Sequence, residues 1–359
     1  MIPAPSSSEA WPSEDLEEIQ ECPLCGSNQR EVLHTAMRDR IFFCAPGEWT
    51  IWFCKNCECA YLSPRPKVTS IGRAYGHYYT HATHSAPSKR NSLKIIYHSL
   101  RFAFFMEQSG GGSSSFYPTR FGAWIVSKIF GNQWKFHDAR LYPPRNGARL
   151  LDIGCGGGDY LALANSIGWA AEGIDTDPNA VENALAKGCK ARCGSVEEEL
   201  SRSAGLYDAI TLSHVIEHLH NPVDTLKACR HLLRPGGRIW LATPRLDSAG
   251  HRRFGADWLH LDPPRHLVLF TEENLTSSLM AAGFLHPKFN PRGRHVLHVW
   301  KCSYAIRRGY DPLCNSLNLP YSIRLTALKH DLQSMFSKYS GDEIIVSAEI
   351  ESDHGATAN

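Results

Sequence analysis

Two cysteine pairs set the first chemical expectation. Cys22-Pro-Leu-Cys25 and Cys54-Lys-Asn-Cys57 both have the C-x2-C form. Two intervening residues let each pair wrap one side of a metal while backbone N–H groups donate to the sulfurs, and two such knuckles complete a tetrahedron. Four closed thiolates leave no open position for water. The zinc implied by Cys22, Cys25, Cys54 and Cys57 is therefore structural, and its binding supplies folding energy to a segment too small for its own core. Cys44 and Cys59 lie near enough in sequence to replace one of the four.

A second pattern points to a nucleotide-like ligand. In Leu150-Leu-Asp152-Ile-Gly154-Cys-Gly156-Gly157-Gly158, glycines follow an apolar run and precede a helical one. Glycines there let the backbone turn sharply and approach a ligand, while the helix start offers free N–H donors. A further acid, Asp175, follows in Glu-Gly-Ile-Asp175-Thr-Asp-Pro, a distance that suits a grip on ribose hydroxyls. A third pattern is His214-Val-Ile-Glu217-His218, the H-x-x-E-H arrangement of a zinc protease helix. Here it follows a strand and is cut short by Pro222, so the protease reading fails on context. Deprotonating a hydroxyl needs a base tuned near neutral pH, and His214, His218 and His266 are the candidates. Trp258 and Arg265, beside His266, are the expected stacking and clamping groups for an acceptor.

The elements that must position these residues are visible as alternation. Strands are expected near 148–153, 170–174, 207–212 and 237–242, and helices near 159–167, 178–187, 222–233 and 272–282. Such alternation specifies an α/β protein whose mostly parallel sheet is covered on both faces. GDEIIVSAEI reads as a last strand, and 290–340 as an insertion before it. The chain has 359 residues, 43% hydrophobic and 21% charged, ordinary globular usage that excludes fibrous and coiled-coil classes. No apolar run approaches the ~20 residues of a membrane span. The acidic N-terminus lacks a basic start followed by an apolar stretch, so no secretory signal is expected, the expected location is cytoplasmic, and the twelve cysteines read as ligands or buried thiols rather than disulfides.

Over 148–290 the chain resembles class I S-adenosylmethionine-dependent methyltransferases, particularly the branch similar to ubiquinone-biosynthesis O-methyltransferases. The segments that carry the resemblance are LLDIGCGGGDYL, EGIDTDP, CGSVEE, YDAITLSHVIEHLHNPVDTL, LRPGGRIWLATP and PRHLVLFTEENL, in family order. Dehydrogenases with a related fold share only the first two. The resemblance implies a Rossmann-like, doubly wound seven-stranded sheet and S-adenosylmethionine as cofactor. By position, Asp152, Gly154 and Gly156 would meet its methionine end, Asp175 the ribose, Thr176 and Ser195 the adenine, and Ser213 and His214 the cofactor and substrate mouth. Small-RNA 3′-end methyltransferases carry a similar E-x-x-E-H with magnesium. His214 replaces the first acid here, so magnesium at Glu217 and His218 is the minor reading and a loop-capping role the major one.

The organisation expected is an unstructured acidic tail over 1–21, a zinc ribbon over 22–63, a basic aromatic helical segment over 64–145 for substrate or lid, the methyltransferase domain over 146–350, and a short disordered tail over 351–359. The net charge of +2 hides twelve Lys or Arg against Glu107 and Asp138 in the middle segment. Interleaved cations and aromatics there suit an anionic partner. Tyr75-Gly-His77-Tyr78-Tyr79 resembles the stretch that follows the ribbon in zinc-ribbon methyltransferases of polysaccharide and sugar pathways, which favours a small or glycan-linked acceptor over nucleic acid. Contact with an anionic membrane surface is a further reading of the same block. The expected reaction is O-methylation of a saccharide, glycolipid or secondary metabolite, with C-methylation of a nucleotide sugar or an RNA-directed methyl transfer as alternatives.

Overall fold

The computed structural model describes residues 10–76, 147–202, 205, 207–313 and 317–352; most of the basic middle segment therefore lies outside the described residues. The chain begins with a short strand β1 (Leu16–Glu17), followed by β2 (Arg30–Met37), β3 (Trp49–Cys54), β4 (Ala60–Leu62) and β5 (Arg65–Pro66). β2, β3 and β4 form an antiparallel sheet, and β1 pairs with β5. Residues 11–21 are not the free acidic tail expected from composition. Trp11 is buried edge-on against Trp49, with ring centroids 5.6 Å apart, and Glu17 binds the buried Arg65 at 2.8 Å. One large aromatic and one paired acid hold the segment where a count of charges suggested solvent.

A seven-stranded sheet follows: β6 (Arg149–Ile153), β7 (Ala170–Asp175), β8 (Lys190–Cys193), β9 (Tyr207–Ser213) and β10 (Leu233–Pro244), then, beyond the short β11 (Val268–Leu269), β12 (Leu285–Asn290) and β13 (Glu343–Glu349). The order is β12-β13-β10-β9-β6-β7-β8, with β6 to β10 parallel and β13 antiparallel to both its neighbours. Leu150, Leu151, Ile210 and Leu212 are fully buried, as expected for parallel strands covered on both faces. The connecting helices are α1 (Asp159–Ser166), α2 (Pro178–Ala186), α3 (Val196–Arg202), α4 (Pro222–Leu232), α5 (Ala249–Phe254), α6 (Glu272–Ala281), α7 (Val296–Arg307) and α8 (Tyr321–Ser334). α2 starts with Asp177 accepting from Asn179 N and Pro178 in the first position, and α6 with a reciprocal Thr271–Asn274 capping box. The stretch 290–340, with few sequence signals, is built mainly from α7 and α8.

The small sheet and the large one are joined by chain that is distant in sequence. β11 adds to the ribbon sheet by pairing with β4, Val268 opposite Tyr61 and Leu269 opposite Ala60. Leu62 N also donates to Leu267 O at 3.0 Å, and Asn274 Nδ2 to the Cys57 carbonyl at 3.1 Å. Beside this strand the Arg265 side chain is wholly buried. Its guanidinium binds Asp39 at 2.6 and 3.0 Å, Asp262 at 3.0 Å and the Ala74 carbonyl at 2.9 Å, over the face of Phe42. Burial alone would raise the Asp39 pKa, but the hydrogen bonds from Arg265 bring it down to about 2. Removing one partner of a buried ion pair leaves charge uncompensated. Asp39→Asn is expected to cost ~3 kcal/mol in urea denaturation, at the low end for such a loss because Asp262 remains. A cost under ~1 kcal/mol would show that the pair is not a tie between the two sheets.

Candidate functional site

The chain leaves β6 toward β7 on one side and returns as β9 on the other, so the sheet has its switch point between β6 and β9, where open α/β sheets bind ligands beyond the carboxyl ends of their strands. Asp152, near the end of β6, is buried and accepts from Thr211 Oγ1 of β9 at 2.5 Å. Gly154 follows with φ +69°, and a Cβ there would lie 2.4 Å from Val215 Cγ2, so the turn needs glycine for its conformation and for its contact with the segment after β9. Gly156, at φ +51°, has open space where its Cβ would be, and its N–H donates to Asp175 Oδ2 at 2.8 Å. Asp175 Oδ1 accepts from Asp177 N at 2.9 Å. Burial raises the Asp175 pKa, while these N–H groups oppose the rise.

Gly194 N donates to the Asp175 carbonyl at 3.0 Å, which seats Ser195 beside the acid, and Thr176 is exposed next to it. Ser195 Oγ accepts from Glu198 N at 3.3 Å while Glu198 Oε2 accepts from Ser195 N, so this hydroxyl caps α3. Ser213, half-buried, ends β9, and the half-buried His214 follows it. Asp152, Gly154, Gly156, Asp175, Thr176, Ser195, Ser213 and His214 thus stand along the carboxyl ends of β6, β7, β8 and β9. The open cradle over Gly156 and the carboxylate beside it suit a nucleoside-bearing cofactor.

Beyond Val215 the buried Glu217 is the centre of a histidine cluster. Its Oε2 accepts from Thr243 Oγ1 at 2.9 Å; Oε1 has no well-aligned donor, the nearest cation being His214 Nδ1 at 3.3 Å. His214 sits at φ +55° with its Nε2 3.5 Å from Glu343 Oε2. Burial lowers the His214 pKa, but Glu343 and Glu217 on either side outweigh it and raise the value to about 10. Although 36% of this side chain is exposed, the two acids hold it as an imidazolium at neutral pH. His218 and His266 differ. Burial pulls both down to about 4, so they are neutral imidazoles.

The tautomers of those two rings follow from their partners. His218 Nδ1 lies 3.0 Å from the Arg265 carbonyl and His266 Nδ1 2.7 Å from the His260 carbonyl; a carbonyl only accepts, so each Nδ1 carries the proton and each Nε2 a lone pair. Tyr75 OH lies 3.1 Å from His218 Nδ1. The donor atoms of Glu217, His218 and His266 fall within 4.8 Å of one another. One carboxylate and two imidazoles fixed through Nδ1 could hold a divalent cation. The nitrogen content of this set suits zinc or another transition ion better than magnesium, which prefers oxygen.

Other expectations change. Trp258 and Arg265 do not face an acceptor: Trp258 is buried and donates from Nε1 to Asp342 at 3.1 Å, and Arg265 is consumed by Asp39 and Asp262. His214 also has neighbours that local patterns did not single out, His260 and Glu343. His260 stacks on His214 with centroids 6.3 Å apart and keeps a buried Nε2 without a partner. The only sequence signal for Glu343 was an acid opening an apolar strand.

Across the junction, the four thiols come together as expected. Cys22 and Cys57 sulfurs are 3.5 Å apart, Cys25 and Cys54 sulfurs 3.6 Å, near the ~3.8 Å edge of a tetrahedron with zinc–sulfur bonds of ~2.3 Å. Cys59, wholly buried, lies 3.3 Å from Cys22 as an outer thiol, whereas Cys44 points away, to the Ala74 carbonyl at 3.2 Å.

Residues 134–285 match the family model described as a methyltransferase domain. The ubiquinone biosynthesis O-methyltransferase of Xanthomonas axonopodis pv. citri is 36% identical over 115 residues, 30% of this chain and 47% of that protein. Its counterpart in Xylella fastidiosa is 34% identical over 106 residues, 28% of this chain and 43% of that protein. The chain thus spans less than half the length of the curated relatives it matches. A solved S-adenosylmethionine-dependent methyltransferase from Archaeoglobus fulgidus aligns at TM-score 0.41 and 18% identity, over 63% of this chain and 93% of that one.

Two outcomes are expected of the site as built. Purified protein should contain one zinc, with the thiols of Cys22, Cys25, Cys54 and Cys57 unreactive until a chelator removes it; metal-free protein with freely titrating thiols would refute the ribbon. His214, with a folded pKa of about 10 against 6.5 unfolded, stabilises fully below pH 6.5 and loses that contribution as the pH rises toward 10. His214→Gln should therefore flatten the alkaline fall of Tm relative to wild type and leave its value near pH 6 less favourable; parallel profiles would mean that His214 is not held charged.

Proposed function

We propose that this chain, which carries a class I S-adenosylmethionine-dependent methyltransferase domain, transfers the methyl group of that cofactor to a hydroxyl oxygen of a small acceptor such as a saccharide, a glycolipid or another secondary metabolite. The observation that supports it most is the contact between the two halves of the site. Gly154 of the glycine turn abuts Val215, so the cofactor crevice and the Glu217–His218–His266 cluster share one end of the sheet. The relatives named as O-methyltransferases support oxygen as the methylated atom.

The chain's residues divide the work by charge. Asp175 and the backbone at Gly154 and Gly156 would hold the cofactor, which when bound would supply an electrophilic methyl group, and holding the acceptor beside it would contribute to the rate by positioning. The proton of the acceptor hydroxyl would pass to a neutral imidazole, His266 or His218, at Nε2. His214, already protonated between Glu217 and Glu343, does not take that proton. A second reading rests on the grouping of three donor atoms: Glu217, His218 and His266 would together hold a divalent cation, which when bound would lower the pKa of a coordinated hydroxyl.

Calorimetry tests the premise. The zinc-loaded protein is expected to bind S-adenosylmethionine, and Asp175→Ala to weaken that binding by more than ~1.4 kcal/mol, or tenfold. Absence of binding to folded wild-type protein would sink the enzyme reading, and unchanged affinity would remove Asp175 from the cofactor site. The acceptor class is tested by incubating metabolite and glycan extracts with labelled cofactor and finding, by mass spectrometry, a product one methyl heavier; label on carbon or on RNA would replace the oxygen assignment.

A further inference from the structure

The helix α8 is amphipathic in the wrong direction for a helix covering a core. Its protein-facing side consists of the buried Ala327, Asp331 and Ser334, with Asp331 Oδ1 accepting from the N–H groups of His295 and Val296 at 2.9 and 2.7 Å and Ser334 Oγ donating to the Gly293 carbonyl at 2.7 Å. Beside these polar anchors, its inner side adds Ala327 and the partly buried Ile323 to the core. The large side chains point outward. Tyr321, Leu325, Leu328 and Leu332 are 77%, 48%, 43% and 56% exposed, and Phe336 and Tyr339 in the following turn are 66% and 68% exposed. At 3.6 residues per turn, positions 321, 325, 328, 332 and 336 fall within about 80° of arc, so they form one stripe.

The charges around that stripe identify what covers it. Arg324 and Lys329, both exposed, flank it on opposite sides, and the helix's one carboxylate, Asp331, is buried. Docking the chain's own residues 77–146, with nine cations against Glu107 and Asp138, would bring like charges together. A second copy of α8 would likewise set Arg324 and Lys329 against their equivalents with no acid to answer them. An anionic lipid surface meets both demands, an apolar layer for the stripe and phosphates at the height of its cationic edges. No helix among the described residues is long and apolar enough to cross a membrane. We propose that α8 and the turn after it lie in the headgroup boundary of an anionic membrane, with the leucines and Phe336 entering the acyl layer and Tyr321 and Tyr339 at its surface. This surface does not depend on the methyl-transfer reading.

The test uses the full, zinc-loaded chain and co-sedimentation with vesicles of phosphatidylcholine containing about a third phosphatidylglycerol, against pure phosphatidylcholine. Binding is expected to the anionic vesicles and to weaken with salt. Leu325→Glu with Leu332→Glu, both at exposed positions, should lower that binding at least about tenfold while zinc content and circular dichroism stay as in wild type. The indole introduced by Leu328→Trp should shift its emission to the blue only when anionic vesicles are present. Equal sedimentation of the double variant, absence of wild-type binding, or a dimer in light scattering that the double variant dissociates would each overturn the assignment, the last in favour of a second copy.

Discussion

A guanidinium with no access to water must be answered by carboxylates, and at Arg265 they come from two distant parts of the chain. Asp262 is three residues away, but Asp39 belongs to the ribbon, and its own oxygens are spent on the N–H groups of Phe42, Cys44 and Ala45. The cation therefore docks a loop of the methyltransferase domain against a turn of the ribbon. The consequences run directly to the site. The Arg265 carbonyl fixes the His218 ring, the next residue is His266, and the one after that, Leu267, donates to the Glu217 carbonyl at 2.7 Å. The ribbon carries none of the cluster's ligands, yet it sets their geometry.

The cluster shows how position sorts identical side chains into different chemistry. His214 lies between Glu217 and Glu343 and keeps its proton; His218, His260 and His266 are buried beside other imidazoles and lose theirs. A neutral ring can accept a proton or ligate a metal, while a charged one can do neither. Glu217 is common to both groups, pairing with His214 on one side and facing His218 and His266 on the other.

The sequence made the large sheet legible because its signals are local. Apolar runs of strand length, the glycines after Ile153, the acid at Asp175 and the doubled C-x2-C spacing each describe a few adjacent residues, and each appears where expected. What stayed hidden depends on partners far along the chain. Nothing near Arg265 or Trp258 reveals that Asp39 and Asp342 will consume their polar groups, so both read as free to meet an acceptor. Trp11 sits among acids and prolines, and only Trp49, in another strand, explains its burial. The α7–α8 region was opaque for a further reason. Its helix α8 buries small and polar residues and exposes leucines, so the usual rule for assigning the inner face gives the wrong side.

The pairing of β11 with β4 also bears on how the molecule is made. During synthesis the ribbon's strands emerge first, and the Cys22, Cys25, Cys54 and Cys57 set is complete as soon as Cys57 has left the ribosome. The outer edge of β4, however, waits for Val268 and Leu269, about 200 residues later, and until then is an open row of N–H and C=O groups able to pair with another nascent chain. Metal capture by those four thiols would stiffen the ribbon during that interval without closing its edge. The last step of ribbon folding is thus also the step that seats the loop carrying Arg265 and His266.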